Sequence, residues 1–206
     1  MIAKQIENLA GAPPDPVSMR KLFLLLTRLN FSDPKHYGAY ESLLENLVYS
    51  DNPTESRLSV DLLSIYAPSK TFSRPAIFVG FTESRFERMA PADDAGHSED
   101  NSRIYKAKRV STTLKIVHTA NDPDQALALV TISATFFLGI QQLLLQGFGL
   151  LHFTIESITD ATLIEKSPDT AFSCTLTASV NYEFQTVTAL ESHRIKKFAL
   201  TLDAQL

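Results

Sequence analysis

A long uncharged stretch is the feature of this chain that most restricts its fold. From Gln125 to Ile155 the sequence contains no Asp, Glu, Lys or Arg, and alternating polar and apolar residues lie on both sides of it. A stretch of this length either crosses a membrane or is covered by protein. It is preceded by Asp122 and Asp124 rather than by Lys or Arg, and the chain has no Trp to mark a membrane interface. We therefore expect protein, and no membrane, to enclose this segment.

The composition limits the kinds of partner. The chain has 206 residues, enough for one domain or one domain with an extension. Its charged fraction of 20% is slightly low, which favours a surface that is partly covered in the working state. The net charge of -4 gives no basic footprint for tight binding of DNA. The single cysteine, Cys174, cannot form an internal disulfide, which fits assembly in a reducing cytoplasm.

The N-terminal part, residues 1 to 73, reads as a helical region followed by a connector. Asp15 before Pro16 is an N-cap and first-turn pair, and leucines follow it at helical spacing up to Asn30. Asp33 before Pro34 repeats this signal and predicts a second helix. The face of that helix is marked by apolar and aromatic residues: Tyr37, Tyr40, Leu44, Leu47 and Val48. From residue 51 to 73 the pattern is ambiguous, and we predict only a connector with a possible short element.

A strand and a long polar segment come next. The run after Pro75 predicts a strand over residues 74 to 81. From Thr82 to Lys108 the sequence is rich in both signs of charge and has no periodicity, which predicts a loop. A loop of this length is usually functional or disordered, and we expect this one to be mobile in the free subunit and to face a partner. Its anchors for that partner are Phe86, Met89, Ile104 and Tyr105.

The second half has the clearest order. Alternation predicts a strand over residues 110 to 119, and Asp122 before Pro123 then begins a long helix that ends near Gly147. Further strands are predicted over 150 to 158 and over 172 to 184, joined by a turn at residues 167 to 169. The last strand is about twice the usual length, so part of it should pair beyond its own sheet. Tyr182 and Phe184, near its end, complete the six predicted interface residues.

No catalytic constellation emerges from the sequence, so we expect no enzyme activity, no cofactor and no metal. The five histidines are scattered, and none has the spacing of a metal site. The acidic residues between Asp93 and Asp100, with His97, read as a solvated loop more readily than as a cation cage. His118 and His152 fall on predicted strands and could meet across the sheet. Cys174 lies on the same face of an alternating strand as Phe172 and Leu176 and is predicted to be a small buried hydrophobe.

The order of these elements resembles the tail-terminator proteins of tailed bacteriophages. The resemblance covers roughly residues 74 to 188. It rests on the run from Arg74 to Gly80, the strand from Ser111 to Val117, the Asn121-Asp122-Pro123 start of the helix, and the strand from Phe172 to Phe184. The chain departs from the compact family pattern in residues 1 to 73 and after Thr188.

The resemblance implies an α/β (α+β) fold. Its sheet would be mixed but mainly antiparallel, with about four strands flanked by the long helix, and residues 1 to 73 and 189 to 206 would be extensions of this core. It also implies a structural virion protein, a homohexameric ring at the head-proximal end of the tail that ends tube growth and joins the tail to the neck or head. Implied partners are the tail tube protein and a neck or head-completion protein, with DNA passing through the lumen. The alternatives are another neck ring component, or a small α+β ligand-binding or dimerisation domain.

Overall fold

The fold is an α+β arrangement in which one mixed sheet packs against helices. A computed structural model describes residues 2–10, 14–44, 46–52, 54–65, 75–88, 94–97, 103–164 and 170–189. The helices in these ranges are α1 (Ile2–Glu7), α2 (Pro16–Asn30), α3 (Glu41–Leu44), α4 (Pro123–Gly139) and α5 (Gln141–Gly147). The strands are β1 (Ser59–Leu62), β2 (Ala76–Arg88), β3 (Asp94–His97), β4 (Arg103–Ala120), β5 (Leu150–Ile158), β6 (Thr162–Leu163) and β7 (Phe172–Ala189).

The sheet has the order β1-β2-β4-β7-β5, and the short strands β3 and β6 pair with β4 and β7. Only β1 and β2 run parallel, and the other pairs in the described sheet are antiparallel. The predicted fold class is therefore confirmed. Four long strands form the body of the sheet, and three short ones add to it within the described residues.

Two of these strands are unusually long. β4 and β7 have 18 residues each, and their register runs without interruption from Arg103 opposite Ala189 to Ala120 opposite Phe172. At about 3.3 Å per residue this ladder is roughly 60 Å long. At one end the ladder continues beside the last residues of β2, and we call residues 82–88 of β2, 103–110 of β4 and 182–189 of β7 the arm.

This arm corrects the prediction of a loop over residues 82 to 108. Residues 82–88 belong to β2, 94–97 form β3, and 103–108 begin β4, while 89–93 and 98–102 lie outside the described residues. The polar residues of the arm form hydrogen-bonded strands. In the arm β2 pairs with β4, and β4 pairs with β7. Whether the segment is mobile in the free subunit stays a prediction.

The helix starts follow the sequence signals. The Asp15 carboxylate accepts hydrogen bonds from the backbone N–H groups of Val17 and Ser18, at 2.8 and 3.1 Å, and so caps α2. Asp122 caps α4 through the N–H groups of Asp124 and Gln125. Asp33, the third predicted helix start, accepts a hydrogen bond of 3.0 Å from the N–H group of Lys35, so all three predicted N-caps are confirmed.

Two predicted helices differ from the structure. After Asp33 the chain forms a 3₁₀ helix, Pro34–Tyr40, and then the short α3, because Gly38 has a φ of 54° and interrupts the helical path. The long helix predicted up to Gly147 is broken: Ile140 leaves the helical conformation, and α4 and α5 are bent by 49° relative to each other. The predicted end near Gly147 is confirmed for α5, and Gly149, with a φ of 68°, makes the turn into β5.

The core lies between one face of the sheet and the helices. Leu114 and Ile116 of β4, and Leu176 and Val180 of β7, are fully buried on this face. Helices α2 and α4 bring Phe23 and Phe137 against it, with their ring centroids 5.8 Å apart. Residues 1 to 73 therefore contribute to the same core as the sheet through α2 and β1. The predicted division of the chain into regions 1-73, 74-188 and 189-206 stays a proposal, and residues 190–206, with their weak alternation, lie outside the described residues.

Candidate assembly interface

The uncharged segment folds into three consecutive elements, α4, α5 and β5, at one side of the sheet. Its inward side is well covered by protein: Leu129, Phe137, Leu144 and Phe153 are each 1% exposed or less. The Gln141 side chain donates a hydrogen bond of 2.8 Å to the backbone carbonyl of Phe153 and so ties the start of α5 to β5. The segment is thus enclosed on one side by its own fold.

Its outward side exposes leucines. Leu127 and Leu138 on α4, Leu143 on α5 and Leu151 on β5 have exposed fractions of 41, 58, 53 and 49%. We call these four residues the leucine face. Two threonines beside them add methyl groups rather than free hydroxyls, because Thr131 Oγ1 donates to the Leu127 carbonyl and Thr135 Oγ1 donates to the Thr131 carbonyl. An apolar surface without any charge is the kind that a partner usually covers.

Helix α2, in contrast, has a charged outward side. It packs against β2 on the same side of the sheet, yet its outward side carries the exposed Arg20 and Lys21. Its buried positions, such as Leu22 and Phe23, give it the usual division into an apolar and a charged face. After Asp124 in its first turn, the outward side of α4 carries no charged residue, and α5 carries none either.

A second apolar patch lies on the arm. The rings of Phe86 on β2 and Phe184 on β7 meet edge to face, with centroids 6.0 Å apart and planes at 71°. Phe86 is 51% exposed and Phe184 is half-buried. Tyr182, two residues before Phe184, is fully buried and lies opposite Val110 of β4, which in turn lies opposite Phe86. We call Phe86 and Phe184 the aromatic patch.

The structure brings together three of the six residues predicted to contact a partner. Phe86, Phe184 and Tyr182 are neighbours on one face of the arm, although Tyr182 is buried in this single chain. Ile104 and Tyr105 lie on β4 opposite Thr188 and Val187, and their side chains are outside the description. Met89 lies outside the described residues. The role of all six in binding a partner stays a proposal.

Sequence reasoning missed the leucine face as a set of contact residues. The absence of charge from Gln125 to Ile155 was the available signal. That signal does not show which leucines turn outward, because helix α4 is apolar around most of its circumference. The packing of α4 on β4 and β7 decides this.

The two outer strands of the sheet, β1 and β5, differ in the side chains that cover or protect their free edges. At β1 the guanidinium of Arg28 donates two hydrogen bonds, of 3.1 and 3.0 Å, to the Val60 carbonyl and lies 3.6 Å from Asp61. It also lies over the Tyr49 ring, 5.3 Å from its centroid. These groups line an open depression of about 370 Å³, and their contacts with one another stabilise the β1 edge. At β5 the edge strand has one charged residue, Glu156.

The two strand histidines singled out in the sequence, His118 and His152, lie far apart in the sheet, and the acidic candidates around His97 have no described side chains. His118 on β4 lies opposite Cys174 on β7, whereas His152 on β5 lies opposite Asn181, seven positions along β7 and so roughly 23 Å away. The predicted meeting of the two histidines is therefore wrong. Cys174 is fully buried as predicted, and burial raises the pKa of its thiol, which disfavours the reactive thiolate. No group of three or more potential metal ligands occurs among the described residues.

Length and composition decide whether a described helix could cross a membrane. None of them is by itself long and apolar enough to cross a bilayer. Helices α4 and α5, bent by 49°, meet the length and composition requirement only when they are taken together.

Comparisons with known proteins give matches among solved structures. No protein-family model matches the chain. No curated protein matches it either. Among solved structures, one similar chain is the sheath/tube terminator of an extracellular contractile injection system, PVC, in its extended state, determined by cryo-EM. The two chains share 12% identity with a TM-score of 0.45, and the match covers 75% of this chain and 57% of that one. This chain thus spans less than two thirds of the terminator, and similarity at this level assigns it neither a family nor a function.

Proposed function

We propose that this protein is a structural ring subunit at the head-proximal end of a phage-type tail, where a homohexamer ends growth of the tube and joins the tail to the neck or head. The observation that supports an assembly role is the leucine face. Its four leucines are 41 to 58% exposed in the single chain and stand in a segment without charge. A subunit of a closed ring covers such surfaces with its neighbours.

The terminator role rests on the order of elements. A strand leads into a polar arm, a second strand, a capped helix, a third strand and a very long last strand, which here are β2, the arm, β4, α4, β5 and β7. The order whose resemblance to tail terminators was noted in the sequence has a long polar loop in place of the arm, and the other elements follow in the same succession. The role is structural rather than enzymatic, and the partners are the tail tube protein on one side and a neck or head-completion protein on the other.

The lumen of the proposed ring passes DNA without binding it specifically. Support comes from the sheet face opposite the core, which carries hydroxyls over much of β4 and β7 and both signs of charge on the arm. In a shallow depression there, Ser111, Thr113 and Ser179 lie beside Glu83, Glu87 and Arg85, and Arg85 is paired with Glu83. Such a surface offers phosphates no dense cluster of cations, so it would hold DNA weakly.

Two measurements test the proposal. Native mass spectrometry and negative-stain imaging of the purified chain should give a sixfold ring. Removal of the protein from an assembling particle should give tails of abnormal length that do not join filled heads. A chain that stays monomeric at every concentration, or normal infectious particles without it, would mean that the proposal is wrong.

The same measurements separate the alternatives. Tails of normal length that fail to join heads would identify another neck ring component rather than a terminator. A stable dimer without a ring would identify the dimerisation domain that the sequence also allows.

A further inference from the structure

The leucine face and the aromatic patch lie largely on different elements of the fold. Leu127, Leu138 and Leu143 are on helices α4 and α5, whereas Phe86 and Phe184 are on strands β2 and β7. Leu151 is on a strand next to the patch, since β5 pairs with β7 and Leu150 lies opposite Tyr182. Because the helical leucines and the two phenylalanines are on different elements, one copy could contact two neighbours at once. A head-to-tail contact in a ring requires two different surfaces of this kind.

Three charged residues of β2, Glu83, Arg85 and Glu87, lie on the opposite side of the arm from the aromatic patch. Arg85 pairs with Glu83 at 2.9 Å, and Glu87 accepts a long hydrogen bond of 3.4 Å from the Ser111 hydroxyl. These residues alternate with Ser84 and Phe86, so their side chains leave on the other face of the strand. A partner that covers Phe86 therefore does not bury the ion pair of Glu83 and Arg85.

The charged residues next to the two patches differ in sign. Along the chain, the exposed acids Asp122 and Asp124 precede the leucine face and Glu156 follows it. On the face of β4 that carries Val110 beside Phe86, the exposed Lys106 and half-buried Lys108 lie next to the aromatic patch. Apolar centres with complementary rims are the usual anatomy of a specific protein interface.

We propose that the aromatic patch of one copy packs on the leucine face of the next copy around the ring. This inference rests on the proposed ring and names its subunit contact. Phe86 and Phe184 act as the buried anchors, the four leucines form the surface that receives them, and Lys106 and Lys108 face the acids at the rim. Aromatic anchors in the centre of an interface commonly dominate its affinity.

Cross-linking between two single-cysteine variants tests this contact. Thr135→Cys lies on the exposed side of α4 beside Leu138, and Lys106→Cys lies beside the aromatic patch, so both anchors stay intact. The native Cys174 is fully buried and provides an unreactive background in the folded ring. A mixture of the two variants, treated with a short bifunctional maleimide, should give a covalent dimer, and the double variant should give a ladder up to the hexamer.

Controls make the result specific. Either variant alone should give no cross-link, because a head-to-tail contact does not bring a residue next to the same residue of the neighbouring subunit. Val17→Cys, on α2 and 76% exposed, should not cross-link to Thr135→Cys. Adding Phe86→Ala or Leu138→Asp should lower the cross-linked fraction of the mixture roughly tenfold or more, as for loss of an interface anchor.

Three outcomes would overturn the inference. They are dimers formed by Thr135→Cys alone, equal cross-linking to Val17→Cys, or no cross-link in the mixture while native mass spectrometry shows the hexamer. The last outcome leaves the proposed ring in place and removes only this contact. A chain that shows a single-copy mass throughout contradicts the ring itself.

Discussion

The Nε2 atom of His118 lies 2.7 Å from the Oγ atom of Ser133, and this hydrogen bond joins β4 to α4 inside the core. Both residues are fully buried. On the sheet His118 lies between Ile77 of β2 and Cys174 of β7, so its neighbours there carry no charge. Burial lowers the pKa of His118 to about 3, from an ordinary value of 6.5. The imidazole is therefore neutral in the folded protein at neutral pH.

This histidine should make the folded protein sensitive to acid. Between about pH 6.5 and 3 the unfolded chain binds a proton at His118 that the folded chain does not bind. The free energy of unfolding therefore falls as the pH is lowered through this window, by at most about 1.4 kcal/mol per pH unit from this group. In His118→Gln that contribution should disappear. Urea unfolding of both proteins at several pH values between 7 and 4 measures the difference in slope.

Ser133→Ala is the matched control for the histidine variant. It removes the partner of the buried imidazole and should destabilise the fold by roughly 1 to 3 kcal/mol at neutral pH. It keeps His118, so acid sensitivity should remain. Equal pH slopes for His118→Gln and the unchanged protein would show that His118 is not the buried neutral group described.

The elements with one buried face could be predicted from the sequence. Strand β5 has the predicted bounds, Leu150 to Ile158, and β7 begins at the predicted Phe172. On β7, Cys174, Leu176 and Val180 point into the core while threonines and serines point out, which gives clear alternation. The caps Asp15 and Asp122 were also evident, because an N-cap acts within three residues of itself.

The arm could not be predicted in this way. In β2, Glu83 and Arg85 alternate with Ser84 and Phe86, and all four are exposed. A strand with two exposed faces has no apolar alternation. What makes it a strand is its pairing with β4, from Ser84 opposite Thr112 to Arg88 opposite Lys108, and this depends on residues distant in the chain. The break after Gly139 likewise depends on packing, since α5 turns to follow β5.

The cap of the central helix gives a second prediction. Asp122→Ala removes the acceptor for the N–H groups of Asp124 and Gln125 and should lower the free energy of unfolding by about 1 kcal/mol. Asp122→Asn keeps an oxygen at the same place and should lose much less. Thermal unfolding of the two variants measures the difference. Similar losses for both would argue that the carboxylate charge, rather than the cap hydrogen bonds, stabilises α4.

A pair of tyrosines gives a third prediction, because one hydroxyl is bonded and the other is not. The Tyr37 hydroxyl donates to the Leu47 carbonyl at 2.6 Å. The buried Tyr182 hydroxyl has no hydrogen-bond partner in the described part of the chain, and burial, with a contribution from Asp15, raises its pKa to about 12. Tyr37→Phe should therefore destabilise the fold by about 1 kcal/mol, whereas Tyr182→Phe should be neutral or slightly stabilising. Chemical denaturation compares them, and a loss of stability in Tyr182→Phe as large as in Tyr37→Phe would contradict the structure.

The last prediction uses two adjacent residues of α4 that face in opposite directions. Phe137 is fully buried, and its ring lies 5.8 Å from that of Phe23 and 6.0 Å from that of Phe153. Leu138 is 58% exposed on the leucine face. Phe137→Ala leaves a cavity among these rings and should lower the free energy of unfolding by about 3 to 5 kcal/mol. Leu138→Ala should change it by no more than about 0.5 kcal/mol, as for other exposed positions.

Leu138→Ala should affect assembly of the oligomer more than stability of the fold. If Leu138 is covered by a neighbouring subunit, Leu138→Ala weakens the oligomer although the fold keeps its stability, because the exposed leucine has its main contacts outside its own chain. Denaturation at low protein concentration reports the fold, and native mass spectrometry over a range of concentrations reports the oligomer. Leu138→Ala with unchanged assembly would show that α4 is not part of the subunit contact. A loss of fold stability as large as that of Phe137→Ala would instead place Leu138 in the core.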